Sequence, residues 1–427
     1  TFKVEINLYQ QNFPVQIDPQ VYGQIVSMKN TDLDFDGKWD VILLTEQGKI
    51  LTVNETGYSS WGSDSFLVGN IGRQPIVPPI LFNNPFRSSL KSKGLVVLAK
   101  DGSVFGYSFL ANHTIDTLFS PITINSNITT HPLGMIEADS TVRIYWGAEN
   151  GYVYQLNIET SGVNMDSLLI TDEAIRFIHL NAQNQLISIS QSGRVFRDGT
   201  FLQQINLPYA YPAGEEAVAL TRQGEFLLLE RGGGNIAEEN IFQFDSPMIT
   251  HPFMKGEGDY PNYFVAGNNR LYSFNYNFTQ SHDFPVQIYD PDRKITLPLS
   301  PLLNLFFDQS ARQVISLVVT DPSGVIDGFD LTGNRLADFP LAVGDSLLIS
   351  PLLTDIDGDG DLEIAAVTQK GILYLWDVAS SYDRFGWNQI YYDELNSNRN
   401  NNPLPANPYP PEERLSDQLL PEKLVYN

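Results

Sequence analysis

Residues 350–378 read SPLLTDIDGDGDLEIAAVTQKGILYLWDV. A proline leads three apolar or β-branched residues, and then DIDGDGDLE (355–363) places five acidic side chains and two glycines in nine positions. Crowded like charges and paired glycines suit neither a helix nor a strand interior, so this is a loop. The β-rich run that follows, LEIAAVT, meets a tight turn at Gly371 and continues as an alternating strand, ILYLWDV. A Gly-containing tight turn between two such runs is the strongest hairpin signal a single sequence offers.

The phrase recurs along the whole chain. The same turn-then-strand pattern appears as EQGKILTV, KDGSVFGY, ENGYVYQL, QSGRVFRD, RQGEFLLL, NNRLYSFN and PSGVIDGF, with turns at Gly48, Gly102, Gly151, Gly193, Gly224, Asn269 and Gly324. A Pro-led apolar strand stands upstream of many of them: SPLLNLFFD (300–308), THPLGMIEAD (130–139), THPFMKGEGD (250–259) and VPPILFNN (77–84). A third element carries an FP phrase: NFPVQI (12–17), DFPVQI (283–288) and DFPLAV (338–343).

Pro-led strand, loop, strand, tight turn, strand and outer FP strand make four antiparallel strands per unit. Turn-to-turn spacings run from 31 to 55 residues, mostly in the forties, as a β-propeller blade requires. The expected fold is all-β, a propeller of seven or eight blades with eight favoured; the 31-residue step from Gly193 to Gly224 is the one that leaves seven open. One FP strand precedes the first hairpin and none follows the last. The N-terminal strand is therefore expected to complete the final blade and close the ring, which removes exposed sheet edges. The propeller is expected over 1–380. An aromatic segment that packs on it and an Asn/Pro-rich tail or linker are expected over 381–427.

The acidic loop has a twin. DLDFDGKWD (32–40) matches DIDGDGDLE with acids at positions 1, 3, 5 and 9 and glycine at 6. Alternate carboxylates turn toward one centre, and the glycine permits the bend; hard oxygen ligands in a flexible loop suit Ca²⁺. Two Ca²⁺ sites are expected. One uses Asp32, Asp34, Asp36, the Lys38 carbonyl and Asp40; the other uses Asp355, Asp357, Asp359, the Asp361 carbonyl and Glu363. An EF-hand is excluded, because position 12 is Leu43 or Ala366 within a β-rich run. A solvated acidic turn and a catalytic carboxylate pair are the competing readings, and two copies in register at equivalent places of a repeat favour the cage.

These loops resemble the calcium loops of FG-GAP (VCBS-like) repeats, the propeller repeats also found in integrin α subunits. Residues 329–378 resemble a full repeat of that kind, the first unit nearly as well, and the middle units only in outline. Glu363 stands where the pattern has Asp. The resemblance implies that the metal is structural, on the lower face, and that the opposite face binds partners. LLPEKLVYN (419–427) is similar to the linker before a C-terminal sorting domain of type IX secretion, which implies an extracellular or cell-surface bacterial protein.

Composition agrees with that location. A net charge of −24 argues against nucleic acid and anionic membrane surfaces and in favour of cations. There is no cysteine, hence no thiolate nucleophile or Cys-based zinc site, and no apolar stretch approaches a membrane span. The chain opens on Thr1 without a basic-then-apolar leader, so a mature or trimmed form is expected. The face opposite the acidic loops should carry Glu46, Asp101, Glu149, Arg222 and the two THP histidines, His131 and His251; the histidines are the ligand-binding candidates, and loop histidines with no catalytic partner are the preferred reading of them. Core packing is the preferred role for Trp61, Trp146 and Tyr154 over sugar stacking, and RGGGN at Gly232–Gly234 reads as a flexible turn. No nucleophile elbow, HExxH or P-loop is present. The expected function is a monomeric, secreted or surface-tethered module, without enzymatic activity, that recognises a protein or glycan. The alternative is a polysaccharide-acting lyase or hydrolase with an active site on that face.

Overall fold

The described hairpin glycines, Gly48, Gly102, Gly151, Gly193, Gly324 and Gly371, each lie in a sheet of their own. In a computed structural model of the chain, the strands among the described residues form eight antiparallel sheets, seven with four strands and one with five. The structure describes residues 8–205 except 60, 62–64, 85–90 and 182; strands and a few flanking residues between 208 and 287; 302–381 except 322 and 331; Asn388; and 393–397. His251, Arg222, Gly224, Asn269, Gly232–Gly234 and the tail beyond 397 lie outside the described residues.

The first sheet shows the plan. Ile25–Thr31 pairs with Asp40–Thr45, which pairs with Lys49–Val53 across the Gly48 turn, and Leu67–Asn70 lies outermost. The first strands of the next three sheets are Pro75–Asn83, Leu133–Ile136 and Ile175–Leu180; those of the last two are Leu302–Phe307 and Leu352–Thr354. Apart from Leu133–Ile136, whose far end is exposed, these strands are mostly buried, whereas an outermost strand such as Gly162–Leu169 is largely exposed. First strands therefore line the interior and fourth strands the rim.

Side-chain alternation packs each sheet between two others. In Asp40–Thr45, Val41 and Leu43 join the core shared with the eighth sheet, while Ile42 and Leu44 join the core shared with the second. In Leu362–Val367, Ala365 and Val367 face the first sheet, while Leu362, Ile364 and Ala366 face the seventh. A residue shift of one would exchange the two faces. Further cores join the second sheet to the third and the third to the fourth. Six consecutive sheets, seventh through eighth to fourth, thus stack side by side as blades.

The FP strands fall where expected. Val286–Gln287 and Leu341–Ala342 are the outer strands of the sixth and seventh sheets, and Val15–Gln16 is the outer strand of the eighth. Val15 and Gln16 pair with Leu373 and Ile372, so the beginning of the chain completes its last hairpin. Gly371 permits this: its N–H bonds back to Thr368 O, and a Cβ there would lie 2.0 Å from Ile17 O. The short step between Gly193 and Gly224 has a local cause. In the fourth sheet, strands of four and five residues are joined by a turn at Asp198–Gly199, so a complete four-stranded sheet fits into fewer residues.

Candidate metal centre

Both acidic loops connect the first and second strands of their sheets, and each second strand ends at its hairpin glycine. The loops and the hairpin turns therefore occupy opposite ends of the blades. The first and eighth sheets are neighbours, so the two loops adjoin. Trp39 N–H donates to Asp355 O at 3.1 Å, and a Cβ on Gly358 would lie 3.2 Å from Lys38 Cγ.

The loops share one hydrogen-bond scaffold. The position-9 carboxylate accepts from the position-2 amide, Leu33 to Asp40 at 3.0 Å and Ile356 to Glu363 at 2.8 Å. The position-5 amide donates to position 3 at 3.3 Å in both, Asp36 to Asp34 and Asp359 to Asp357. The position-7 amide donates to position 5, Lys38 to Asp36 at 2.8 Å and Asp361 to Asp359 at 3.1 Å. The position-1 carboxylate accepts from the position-6 glycine, Gly37 to Asp32 at 3.2 Å and Gly360 to Asp355. Gly37 and Gly360 have φ of +93° and +95°, the left-handed region that glycine tolerates best. Position 4 is left-handed too, Phe35 at +65° and Gly358 at +78°, a requirement sequence reading did not register.

These backbone bonds leave oxygens facing one another. Oxygens of Asp32, Asp34 and Asp36 lie within 4.8 Å of each other, as do those of Asp357, Asp359, Asp361 and Glu363. The second group brings in the Asp361 carboxylate, where sequence reading used only its carbonyl, and leaves Asp355 beside the group. Asp40 likewise stands beside the first trio, spending one oxygen on Leu33. Oδ1 of Asp32, Asp355 and Asp361 is buried with no hydrogen-bond partner. A buried, unsatisfied carboxylate oxygen is costly, and a cation relieves it.

Electrostatics says the same. Burial, with the charges of Asp357 and Asp361 adding to it, pushes Glu363 up to about 8; burial and then Asp359 push Asp361 up to about 7. Burial also raises Asp34 and Asp355. Two basic groups approach the first cage: Lys38 Nζ bonds Glu55 at 2.8 Å, and His113 Nδ1 stands 3.8 Å from Asp34, where it offsets part of the rise that burial causes. Gln10 Nε2 donates to Asp357 Oδ2 at 2.6 Å. Gln10 and His113 reach the loops from distant segments, so no local motif could reveal them. The donor set fits a hard divalent cation.

The opposite end holds the other candidates. Glu46, Asp101 and Glu149 are exposed on hairpin turns; Asp101 pairs with Arg73 at 2.9 Å and Glu149 accepts from Asn127 at 2.8 Å. His131 precedes the first strand of the third sheet, next to Lys29. The residue is half-buried, and dehydration by the protein around it, followed by the Lys29 charge, pushes it down to about 4. Trp146 is fully buried and stacks on Tyr154, and Trp61 packs edge-on against Phe109, so these aromatics build core.

No family model and no curated protein sequence matches the chain. Among solved structures, Saccharomyces cerevisiae Sqt1 aligns at a TM-score of 0.54 and 13% identity, over 86% of this chain and 98% of that one. Two structures of BBS1N in complex with ARL6DN align less closely. The mercury-soaked one has a TM-score of 0.43 at 13% identity, over 85% of this chain and 96% of that one; the lead-soaked one has 0.45 at 12%, over 86% and 97%. The Sqt1 likeness speaks to fold alone, and with the stacked four-stranded sheets it identifies the chain as a β-propeller.

Proposed function

We propose that the chain is an FG-GAP-like propeller of eight blades, closed by its N-terminal strand and stiffened by two structural Ca²⁺ ions, that acts outside the cell as a monomeric, non-enzymatic module recognising a protein or glycan. One observation carries the metal reading: two loops with the same spacing and scaffold each keep a buried position-1 carboxylate oxygen without a donor. Asp32, Asp34, Asp36, Asp40 and the Lys38 carbonyl would hold one ion; Asp355, Asp357, Asp359, Glu363 and Asp361 would hold the other. The ion supplies charge neutralisation and a cross-link within each loop. So many carboxylates in a flexible loop suit Ca²⁺ better than Mg²⁺, which keeps its waters.

The binding face is the hairpin-turn end, away from the metal. A polysaccharide-acting enzyme would need converging acids or histidines in a deep axial pocket. The described acids Asp101 and Glu149 instead have their own partners, which supports recognition over catalysis. Among the described residues no helix is long and apolar enough to cross a membrane. The acidic composition, the lack of cysteine and the tail resemblance support an extracellular location.

Thermal unfolding with EGTA and with added Ca²⁺ tests the metal reading, because binding to the native state must raise stability. Tm is expected to rise with Ca²⁺, and an unchanged Tm contradicts it. A glycan array and a pull-down from the cell surface test recognition. Turnover of a polysaccharide would overturn the non-enzymatic reading.

A further inference from the structure

The chain does not leave the propeller after its last hairpin. Ala379 O accepts from Phe307 N–H at 3.0 Å, and Ser380 and Ser381 pair antiparallel with Phe306 and Leu305 on the inner edge of the seventh sheet. Asn388 O accepts from Leu353 N–H at 2.8 Å, and its Oδ1 accepts from Asn304 Nδ2 at 2.7 Å. Asp393 O then takes the Lys29 ammonium at 2.5 Å, Glu394 O takes Leu81 N–H at 2.8 Å, and Leu395 O takes Gly134 N–H at 2.7 Å. These contacts fall on first strands of the seventh, eighth, first, second and third sheets, in that order.

Two side chains lock the end of this path. The Glu394 carboxylate accepts from Thr31 Oγ1 and from Lys93 Nζ, the latter at 3.0 Å. Lys29 and Lys93 are both buried, and dehydration pushes Lys29 down to about 8. Asn396 is 0% exposed at φ +55°, and its Nδ2 lies 3.1 Å from Pro78 O, 3.3 Å from Pro79 O and 3.1 Å from Pro132 O. Prolines offer carbonyls but no N–H, so an amide donor is what these strand starts lack. Asp393 folds the turn itself, accepting from Leu395 N at 3.0 Å and Ser397 N at 2.9 Å.

The structure assigns the segment ending at Ser397 to the propeller, as an axial strap. Its described residues, 379–381, 388 and 393–397, satisfy first-strand edges that would otherwise present unpaired N–H groups to the axis. The strap is the inner counterpart of Val15–Gln16, which completes the eighth sheet at the rim. Its described residues occupy the axial edges of five sheets, so on those blades a ligand is met on a face or at the rim. The alternative is a tail resting passively on the surface.

Hydrogen exchange on the full chain, read by mass spectrometry with residue-level fragmentation, separates the two. The amides of Leu81, Gly134 and Leu353 are expected to exchange as slowly as paired strand amides. Asn396→Asp sets a carboxylate against three carbonyl oxygens, and should speed Leu81 and Gly134 at least about tenfold while Ile17, bonded at the outer edge, stays unchanged. Glu394→Gln is the milder second variant, expected to speed Leu81 with the same indifference at Ile17. Loop-like exchange of the three amides in the unaltered chain, or unchanged exchange in both variants, overturns the strap.

Discussion

The loop after the first strand is built in two ways in adjacent blades. In the seventh, Asp308 accepts from the amides of Ser310 and Arg312 at 2.8 and 2.9 Å and from Arg312 Nε at 2.9 Å. Burial would raise Asp308, but the Arg312 N–H groups outweigh it and hold the carboxyl below its ordinary range. The third blade does likewise, with Glu137 paired to Arg143 at 3.0 Å. In the eighth, the same place holds Asp361 and Glu363, pushed up to about 7 and about 8, and no arginine occurs in the loop. One design carries its cation covalently; the other, in the reading proposed above, takes it from solution.

The sharpest way to break this contrast is to remove cage carboxylates. Asp34→Asn with Asp359→Asn should leave the chain as stable as the parent, or more so, in EGTA, since repulsion is relieved. In Ca²⁺ the pair should forfeit the ligand-linked stabilisation, about 2.7 kcal/mol per site at a hundredfold excess over Kd. Chemical unfolding in both buffers reads the reversal of sign. A cost of equal size in both buffers would make the loops ordinary turns.

Backbone comes next. No atom lies within 4 Å of a Cβ added at Gly37 or Gly360, so alanine there meets only the left-handed penalty, about 1–2 kcal/mol. Ca²⁺ titration should also show weakened binding at the altered loop. In the seventh blade, Arg312→Met should cost about 1 kcal/mol whether or not Ca²⁺ is present. Because the Asp308 pKa is depressed, its contribution is present above the ordinary carboxylate range near pH 4 and lost as pH falls through the folded value. Arg312→Met should flatten that acid limb. Smallest is Lys38→Ala: the pair with Glu55 is partly exposed, so less than about 0.5 kcal/mol is expected in a denaturant melt.

Much of this contrast is legible in sequence because it is local. Acids at alternate positions, a glycine at position 6 and a hairpin glycine some ten residues on are all written within one unit. The FP strands were legible for the same reason, and the N-terminal one found its place by elimination. The strap was not. Asn396 meets Pro78 and Pro132 across hundreds of residues, and nothing in an Asn- and Pro-rich stretch announces a buried anchor. Asp361 was assigned by backbone carbonyl because sequence fixes alternation but not which side chain bends inward. Gln10 and His113 approach the cages only once blades stack.

Calorimetric titration of the chelator-stripped full chain with CaCl₂ tests the solution-borne cation most directly. Two ions per chain should bind saturably, and Asp34→Asn and Asp359→Asn should each reduce the number to one. Absence of saturable binding, or two ions bound undiminished by both substitutions, would contradict it.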